Sequence, residues 1–217
     1  NGGAYTPIAG SPYSATLPGT YQFRITDGNS CTKVTNVITV AAIIPVTASE
    51  MQVDPTCNGD TDGSITLTAT AGEAPFTYSI DGGTTFVSSN VFGGLPTGTY
   101  NYVVRDAKGC EIPGSITLND PAPIVPNINV NGIQCGPVVL GSFDVDIISG
   151  GTAPYTYKLY DNSFTQIDTY TSTALPASFP NSFINLNFGD YYITIVDAIG
   201  CEFKSAKLRI EPAPYLN

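Results

Sequence analysis

The chain contains no histidine and no tryptophan, and only one methionine in 217 residues. Without histidine, Ser-His-Asp and Cys-His catalysis are excluded, and the commonest metal ligand is missing. Charge is scarce as well. Charged residues make up 12% of the chain, with eight Lys and Arg against eighteen Asp and Glu, for a net charge of −10. So acidic a chain, with no local basic cluster, repels phosphate backbones and excludes nucleic acid as a partner. Long apolar runs are absent: the longest, "VAAIIPV" at 40–46, is too short for a membrane span and is broken by Pro45. A signal-peptide pattern is absent too. Asn1 stands in mid-pattern, which places the expected native N-terminus elsewhere. Five cysteines are present (Cys31, Cys57, Cys110, Cys135 and Cys201), and no two approach CxxC spacing, so redox and zinc motifs are excluded.

Turn-forming and core-forming residues are plentiful. The chain has 22 Gly and 17 Pro spread along its length, 42% hydrophobic residues, 13 Tyr and 10 Phe. Many short strands are expected, with enough apolar material for two or three packed cores. Disordered chains lack such aromatics.

Internal repetition organises the sequence. "GTYQFRITDGNSC" (19–31), "GTYNYVVRDAKGC" (98–110) and "GDYYITIVDAIGC" (189–201) are one cassette used three times. Around them, Cys57 aligns with Cys135, "GSITLTA" with "GSFDVDI", "APFTYSI" with "APYTYKL", and "NDPAP" with "EPAP". The opening "NGGAYTP" matches only "DGGTTFV" at 81–87. The expected organisation is therefore the C-terminal part of a repeat over 1–45, a complete repeat over 46–123, and a complete repeat over 124–217. The last has a longer middle segment: Tyr157 to Tyr191 spans 34 residues, against 22 from Tyr78 to Tyr100. Prolines in "AAIIPVTA" and "NDPAPIVPN" predict extended, fairly stiff junctions, and hence a rod.

Period-two alternation sets Tyr100, Tyr102 and Val104 against Asn101, Val103 and Arg105. Tyr21, Phe23 and Ile25, and Tyr191, Ile193 and Ile195, are the matching inward sets. "SITLTAT", "FTYSI" and "SITL" also read as strands, separated by the turn signals "DGG", "LPTG" and "DAKG". About seven short strands per repeat and no helical period predict an all-β chain of tandem Ig-like antiparallel β-sandwich domains in an extended rod.

One cysteine precedes the first core strand of each whole repeat and one follows its D-x-x-G turn. The expected disulfides are Cys57–Cys110 and Cys135–Cys201, making each repeat self-contained. Cys31 is left unpaired, its expected partner lying in the half-repeat that this chain lacks, as in a window cut from a longer polypeptide. Disulfides imply an oxidising, extracytoplasmic setting.

The stretch "CNGDTDGSITLTATAGEAPFTYSIDGG" followed by "LPTGTYNYVVRDAKGC" resembles the SprB repeat, found in very large surface adhesins of gliding Bacteroidota. The resemblance is close over 57–118, looser over 135–210, where the "NGDTDG" turn is missing, and partial over 1–40. It implies a tandem repeat of a filamentous cell-surface protein, exported by the type IX route, attached at the outer membrane and carried during gliding.

Two candidate sites stand out. Asn58, Asp60 and Asp62 in "NGDTDG" resemble the start of an oxygen-ligand calcium loop, but the twelfth position is Ala69 where such a loop has an acid. A plain Gly/Asp turn is the simpler expectation, with calcium the one conceivable cofactor. The long segment 161–190 carries Phe164, Tyr170, Phe179, Phe183 and Phe188. Phe164, Tyr170 and Phe179 are candidates for stacking on sugar or anchoring a protein; core packing is the ordinary alternative. Asp27, Asp106 and Asp197 recur before a turn, where Asp bonds its own backbone two residues on.

The reading is a non-enzymatic structural stalk of a surface adhesin. Its partners are neighbouring repeats and surface polysaccharide or other surface proteins. A glycan- or protein-binding module and an accessory sandwich of a secreted hydrolase are the rivals.

Overall fold

The computed structural model describes residues 14–134, 140–172 and 183–213. No helix occurs among them; eighteen strands pair antiparallel throughout. The chain is all-β, a tandem of antiparallel sandwiches, as the alternation predicts.

The second unit contains β5 (Thr47–Val53), β6 (Gly63–Ala71), β7 (Thr77–Ser79), β8 (Val91–Leu95), β9 (Gly98–Arg105) and β10 (Glu111–Leu118). They form two three-stranded sheets, β5-β6-β8 and β10-β9-β7. Their inner faces supply one core of Ile65, Leu67, Tyr78, Tyr102, Val104, Ile116 and Leu118, closed by Val46. β-branched and aromatic residues at every second position make this possible, because alternate side chains leave a strand on the same face. Val103 points outward yet is 7% exposed. The turn around Gly83 and Phe86 covers it, and Arg105 lies 3.6 Å over the Phe86 ring.

The third unit comprises β11 (Val125–Asn131), β12 (Gly141–Ser149), β13 (Tyr155–Asp161), β14 (Gln166–Ser172), β15 (Phe183–Leu186), β16 (Gly189–Val196), β17 (Glu202–Lys204) and β18 (Leu208–Ile210). One sheet is β11-β12-β15; the other is β14-β13-β16, with β17 and β18 both on the far edge of β16. The core gathers Phe143, Val145 and Ile147 from one sheet and Tyr155, Tyr157, Leu159, Ile193 and Ile195 from the other. Strand β14 is the extra element that the longer middle segment provides. Phe183 and Leu186 both enter the core, so β15 breaks the simple alternation that puts Ile184 and Leu186 on one face. Asn185, at φ 61°, is the cause: a left-handed residue turns the next side chain over.

The first unit shows β1 (Gly19–Tyr21), β2 (Arg24–Thr26), β3 (Thr32–Val34) and β4 (Ile38–Val40), pairing β1 with β4 and β2 with β3. Ile25 and Ile38, the counterparts of buried Val104 and Ile116, are 66% and 52% exposed.

Each cassette opens with the same corner. The hydroxyls of Tyr21, Tyr100 and Tyr191 donate to the carbonyls of Leu17, Pro96 and Asn187 at 2.5, 2.8 and 3.0 Å. This tyrosine corner is a hallmark of Ig-like sandwiches. The preceding glycine is required, since Gly19, Gly98 and Gly189 take φ of 156°, 151° and 154°, a region that L side chains rarely adopt.

Candidate functional site: the junction between repeats

The three cassette turns share one hydrogen-bond pattern, which Asp161 also makes with Ser163 and Thr165. Asp106 Oδ1 accepts from the amides of Lys108 and Cys110 at 2.9 and 2.8 Å, while its own N–H donates to Cys110 O at 3.0 Å. Asp197 Oδ1 accepts from Ile199 and Cys201 at 3.0 and 2.8 Å, and Asp27 Oδ1 from Asn29 and Cys31, both at 2.9 Å. The recurrent Asp thus organises its own turn, as expected of that residue. Burial opposes the Asp106 charge, but the amides of Cys110, Glu73 and Lys108 outweigh it and leave the carboxyl below its ordinary range.

In the second and third units the cassette turn lies where the chain enters the sandwich. Asp106 Oδ2 accepts from Glu73 N at 3.3 Å, and the adjacent Gly72 packs against Val46, the residue leading into β5. In the third unit Asp197 Oδ2 accepts from Thr152 N at 2.8 Å, and a Cβ on neighbouring Gly151 would come within 2.8 Å of Ile124, the residue leading into β11.

The loop around Cys57 lies at the other end, where the chain leaves the second sandwich. Asn58 Nδ2 donates to Asp120 Oδ2 at 2.8 Å and to Pro121 O at 3.0 Å, and Gly59 N donates to Asp120 Oδ1 at 3.1 Å. Asn119 N donates to Asp54 Oδ1 at 2.9 Å. The exit linker is therefore tied to the loop that carries Cys57.

Those placements decide the disulfide. Cys57 joins Cys201 across the junction, with Cα atoms 5.3 Å apart, while Cys110 and Cys31 are free. This corrects the expected Cys57–Cys110 pairing. The nine residues of β6 separate the two ends of the sandwich by roughly 30 Å, and a disulfide bridges Cα atoms about 4.4–6.8 Å apart. The expected Cys135–Cys201 pairing fails as well, because Cys201 is already bonded to Cys57. Cys135 itself lies outside the described residues. Cys201 Sγ also sits 3.4 Å from Thr56 O, so the third unit's entry turn rests directly on the second unit's exit loop.

The calcium candidates are not gathered into a cage. Asn58 is committed to Asp120 and Pro121, whereas Asp62 accepts from Thr56 N and Oγ1 at 2.9 and 2.5 Å. Those two bonds hold the Asp62 carboxyl below the ordinary range. The N–H of Asp60 donates to Cys57 O at 3.0 Å, in a tight turn. Among the described residues, no cluster of three or more Asp, Glu, Cys or His is placed to hold a metal.

The aromatic candidates separate. Phe164, 70% exposed with φ 57°, stacks on Tyr192 at 4.8 Å between centroids. With Tyr160, Tyr192, Glu202 and Lys204 it lines an open groove of about 480 Å³ on the outer face of the β13–β16 sheet. Tyr170 lies opposite core residue Tyr157 in register, with ring centroids 6.2 Å apart, and so belongs to the other face. Phe179 is outside the described residues. Phe183 is buried in the core and Phe188 is 66% exposed. Tyr160 and Tyr192, which complete the groove, went unnoticed in the sequence. Their outward parity in otherwise inward-reading strands was the available signal.

No described helix is long and apolar enough to cross a membrane. The SprB repeat family model matches residues 49–85 and 133–164, about a third of the chain. A comparison with curated proteins finds no match. A solved structure described as "Biofilm associated protein - BSP domain" is similar over 77% of this chain and 30% of its own length, at 19% identity and a TM-score of 0.30. Each family match falls in the first half of a whole repeat, ahead of its cassette, and supports a cell-surface repeat of the adhesin type. The SprB repeat model thus matches this chain twice, once in the second unit and once in the third.

Proposed function

We propose that this chain is a load-bearing, non-catalytic stretch of the stalk of a large secreted surface adhesin. In this reading it is exported by the type IX route, anchored at the outer membrane of a gliding bacterium, and extended by tandem sandwiches. The observation that carries the reading is the Cys57–Cys201 bond between consecutive sandwiches, reinforced by Asn58 and Gly59 on Asp120. A catalytic or purely ligand-binding module has no need of a covalent tie between neighbours. A tether under drag does, because tension along the chain is then diverted around both cores. Repeated beads add reach without adding chemistry, and a net charge of −10 keeps neighbouring filaments apart.

Antibody raised against the chain and applied to intact cells tests the reading. Surface filaments whose length changes in step with the number of repeats support it; unchanged length, or label confined to the cell interior, overturns it.

The Phe164 groove favours a second reading, in which the third unit also binds a surface glycan. Stacked Phe164 and Tyr192 offer an apolar face, while Glu202 and Lys204 offer hydrogen-bonding groups at its rim. A glycan array discriminates: a selective hit lost in Phe164→Ala supports binding, whereas an empty array leaves the stalk alone.

A further inference from the structure

The second unit presents at its entry end the same surface that the third unit uses in its disulfide. The turn bonds are duplicated in detail. Gly109 N donates to Asp106 O at 3.0 Å as Gly200 N does to Asp197 O at 3.3 Å, and Ala107 N donates to Glu73 O as Ala198 N does to Thr152 O, both at 2.8 Å. Val46 stands over Gly72 as Ile124 stands over Gly151. Cys110 therefore occupies the place of Cys201, partly exposed and with a free thiol. Cys31 closes the third copy of this turn and is exposed.

Neither thiol has a disulfide partner among the described residues. Cys57 lies at the far end of the second sandwich and is already bonded. Residues 1–45 align with the repeat only from Asp81 onward, so they contain no equivalent of Cys57. We propose that Cys110 and Cys31 each form a disulfide with the cysteine standing at the Cys57 position of the repeat immediately before their own. Every junction is then closed as the Cys57–Cys201 junction is, and the filament is an interrepeat disulfide ladder. The partner is another copy of the same repeat in the same polypeptide, recognised by its Cys-Asn-Gly exit loop and Pro-containing linker. Cys135 aligns with Cys57 in sequence.

The chemistry balances with an external disulfide as oxidant. The Cys110 thiolate attacks a protein or small-molecule disulfide, giving a mixed disulfide and releasing one thiol. The preceding repeat's thiolate then displaces the second thiol. Two protein thiols lose two electrons and two protons, and the oxidant gains both as two thiols. The oxidising compartment that sustains Cys57–Cys201 supplies such a species.

Peptide mapping of the intact polypeptide from its source cells tests the ladder. Free thiols are blocked with iodoacetamide, and the unreduced protein is cut at Lys, Arg and Asp. That digestion leaves Cys31, Cys57, Cys110, Cys135 and Cys201 on separate peptides. The expected result is the Gly109–Asn119 peptide linked to the first-cysteine peptide of the preceding repeat, with alkylation of Cys110 nearly abolished. Recovery of Cys110 as an alkylated thiol, or linked to Cys57 or Cys31, overturns the proposal.

A second measurement uses the full chain with a copy of residues 46–80 joined ahead of Asn1, which completes the first repeat. Cys110 alkylation should fall at least tenfold and return when the added cysteine is replaced by Ser, with Cys57–Cys201 intact in both. Unchanged Cys110 alkylation with Cys57–Cys201 formed contradicts the ladder. Such a failure leaves the stalk reading standing, since that reading is decided by filament length on cells.

Discussion

Cys201→Ser removes a single sulfur from the third unit, yet it is expected to destabilise the second unit as much as its own. Cys57 and Cys201 bracket the linker between the two sandwiches, so their bond closes a loop in either unit when that unit unfolds and the other stays folded. For the second unit the loop is the ~64 residues from Cys57 to Pro121, and for the third the ~80 from Pro121 to Cys201. On the chain-entropy relation each contributes about 4 kcal/mol at most. Domains of this size lose about 4–8 °C in Tm per kcal/mol, so each unit's transition should fall by up to ~15–30 °C. Calorimetry of the oxidised wild type, Cys201→Ser and Cys57→Ser reads both transitions. The two variants should match one another in both units. If Cys201→Ser shifts only the third unit, the bond does not brace its neighbour and the reasoning fails.

Tyr157 tests the third core from another side. Its hydroxyl is buried with no hydrogen-bond partner among the described residues, so Tyr157→Phe should stabilise the third unit by about 1 kcal/mol, read by urea denaturation. Burial also pushes the Tyr157 phenol up to about 12. Because the folded state holds the proton more tightly than the unfolded chain, this contribution is intact below pH ~10 and declines as pH rises toward 12, by at most about 1.4 kcal/mol per pH unit. Ultraviolet titration of the phenols against unfolding in the same range checks it, and Tyr157→Phe should flatten the decline. Gly150 has φ 76°, and a Cβ there would run into the Pro123 carbonyl under the linker. Gly150→Ala should therefore cost the third unit roughly 2 kcal/mol or more, from left-handed strain together with the clash, measured by the same denaturation.

Strand identities, the inward faces of the second and third cassettes and the self-bonded Asp turns were legible in the sequence, because each rests on local spacing; the inward face expected of the first cassette was not found, since Ile25 is 66% exposed. Tyr102 and Val104, or Ile193 and Ile195, enter their cores for no reason beyond alternation. Cysteine pairing was not legible in the same way. The repeat shows that Cys57 and Cys110 belong to one sandwich, but pairing depends on which end of it each occupies. That in turn follows from counting antiparallel strands between them. The groove at Phe164 was half legible: the exposed aromatic was singled out, but its stacking on Tyr192 depends on the positive φ of Phe164 and the register of β13 with β16. Asn185 hid the inward turn of Leu186 for a similar reason, since a left-handed residue leaves no mark on a period-two pattern.

The central claim is that tension passes from one sandwich to the next through sulfur instead of through their cores. Single-molecule extension of the full chain, held at its two ends, measures this directly. With Cys57–Cys201 intact, only the segments outside the bond, about 11 residues before Cys57 and 9 after Cys201, can peel away from the second and third units. At roughly 3.5 Å per residue they add about 7 nm. After reduction both units should unfold in full, adding about 55 nm on the same basis. Full-length unfolding steps from both units in the oxidised chain would contradict the account.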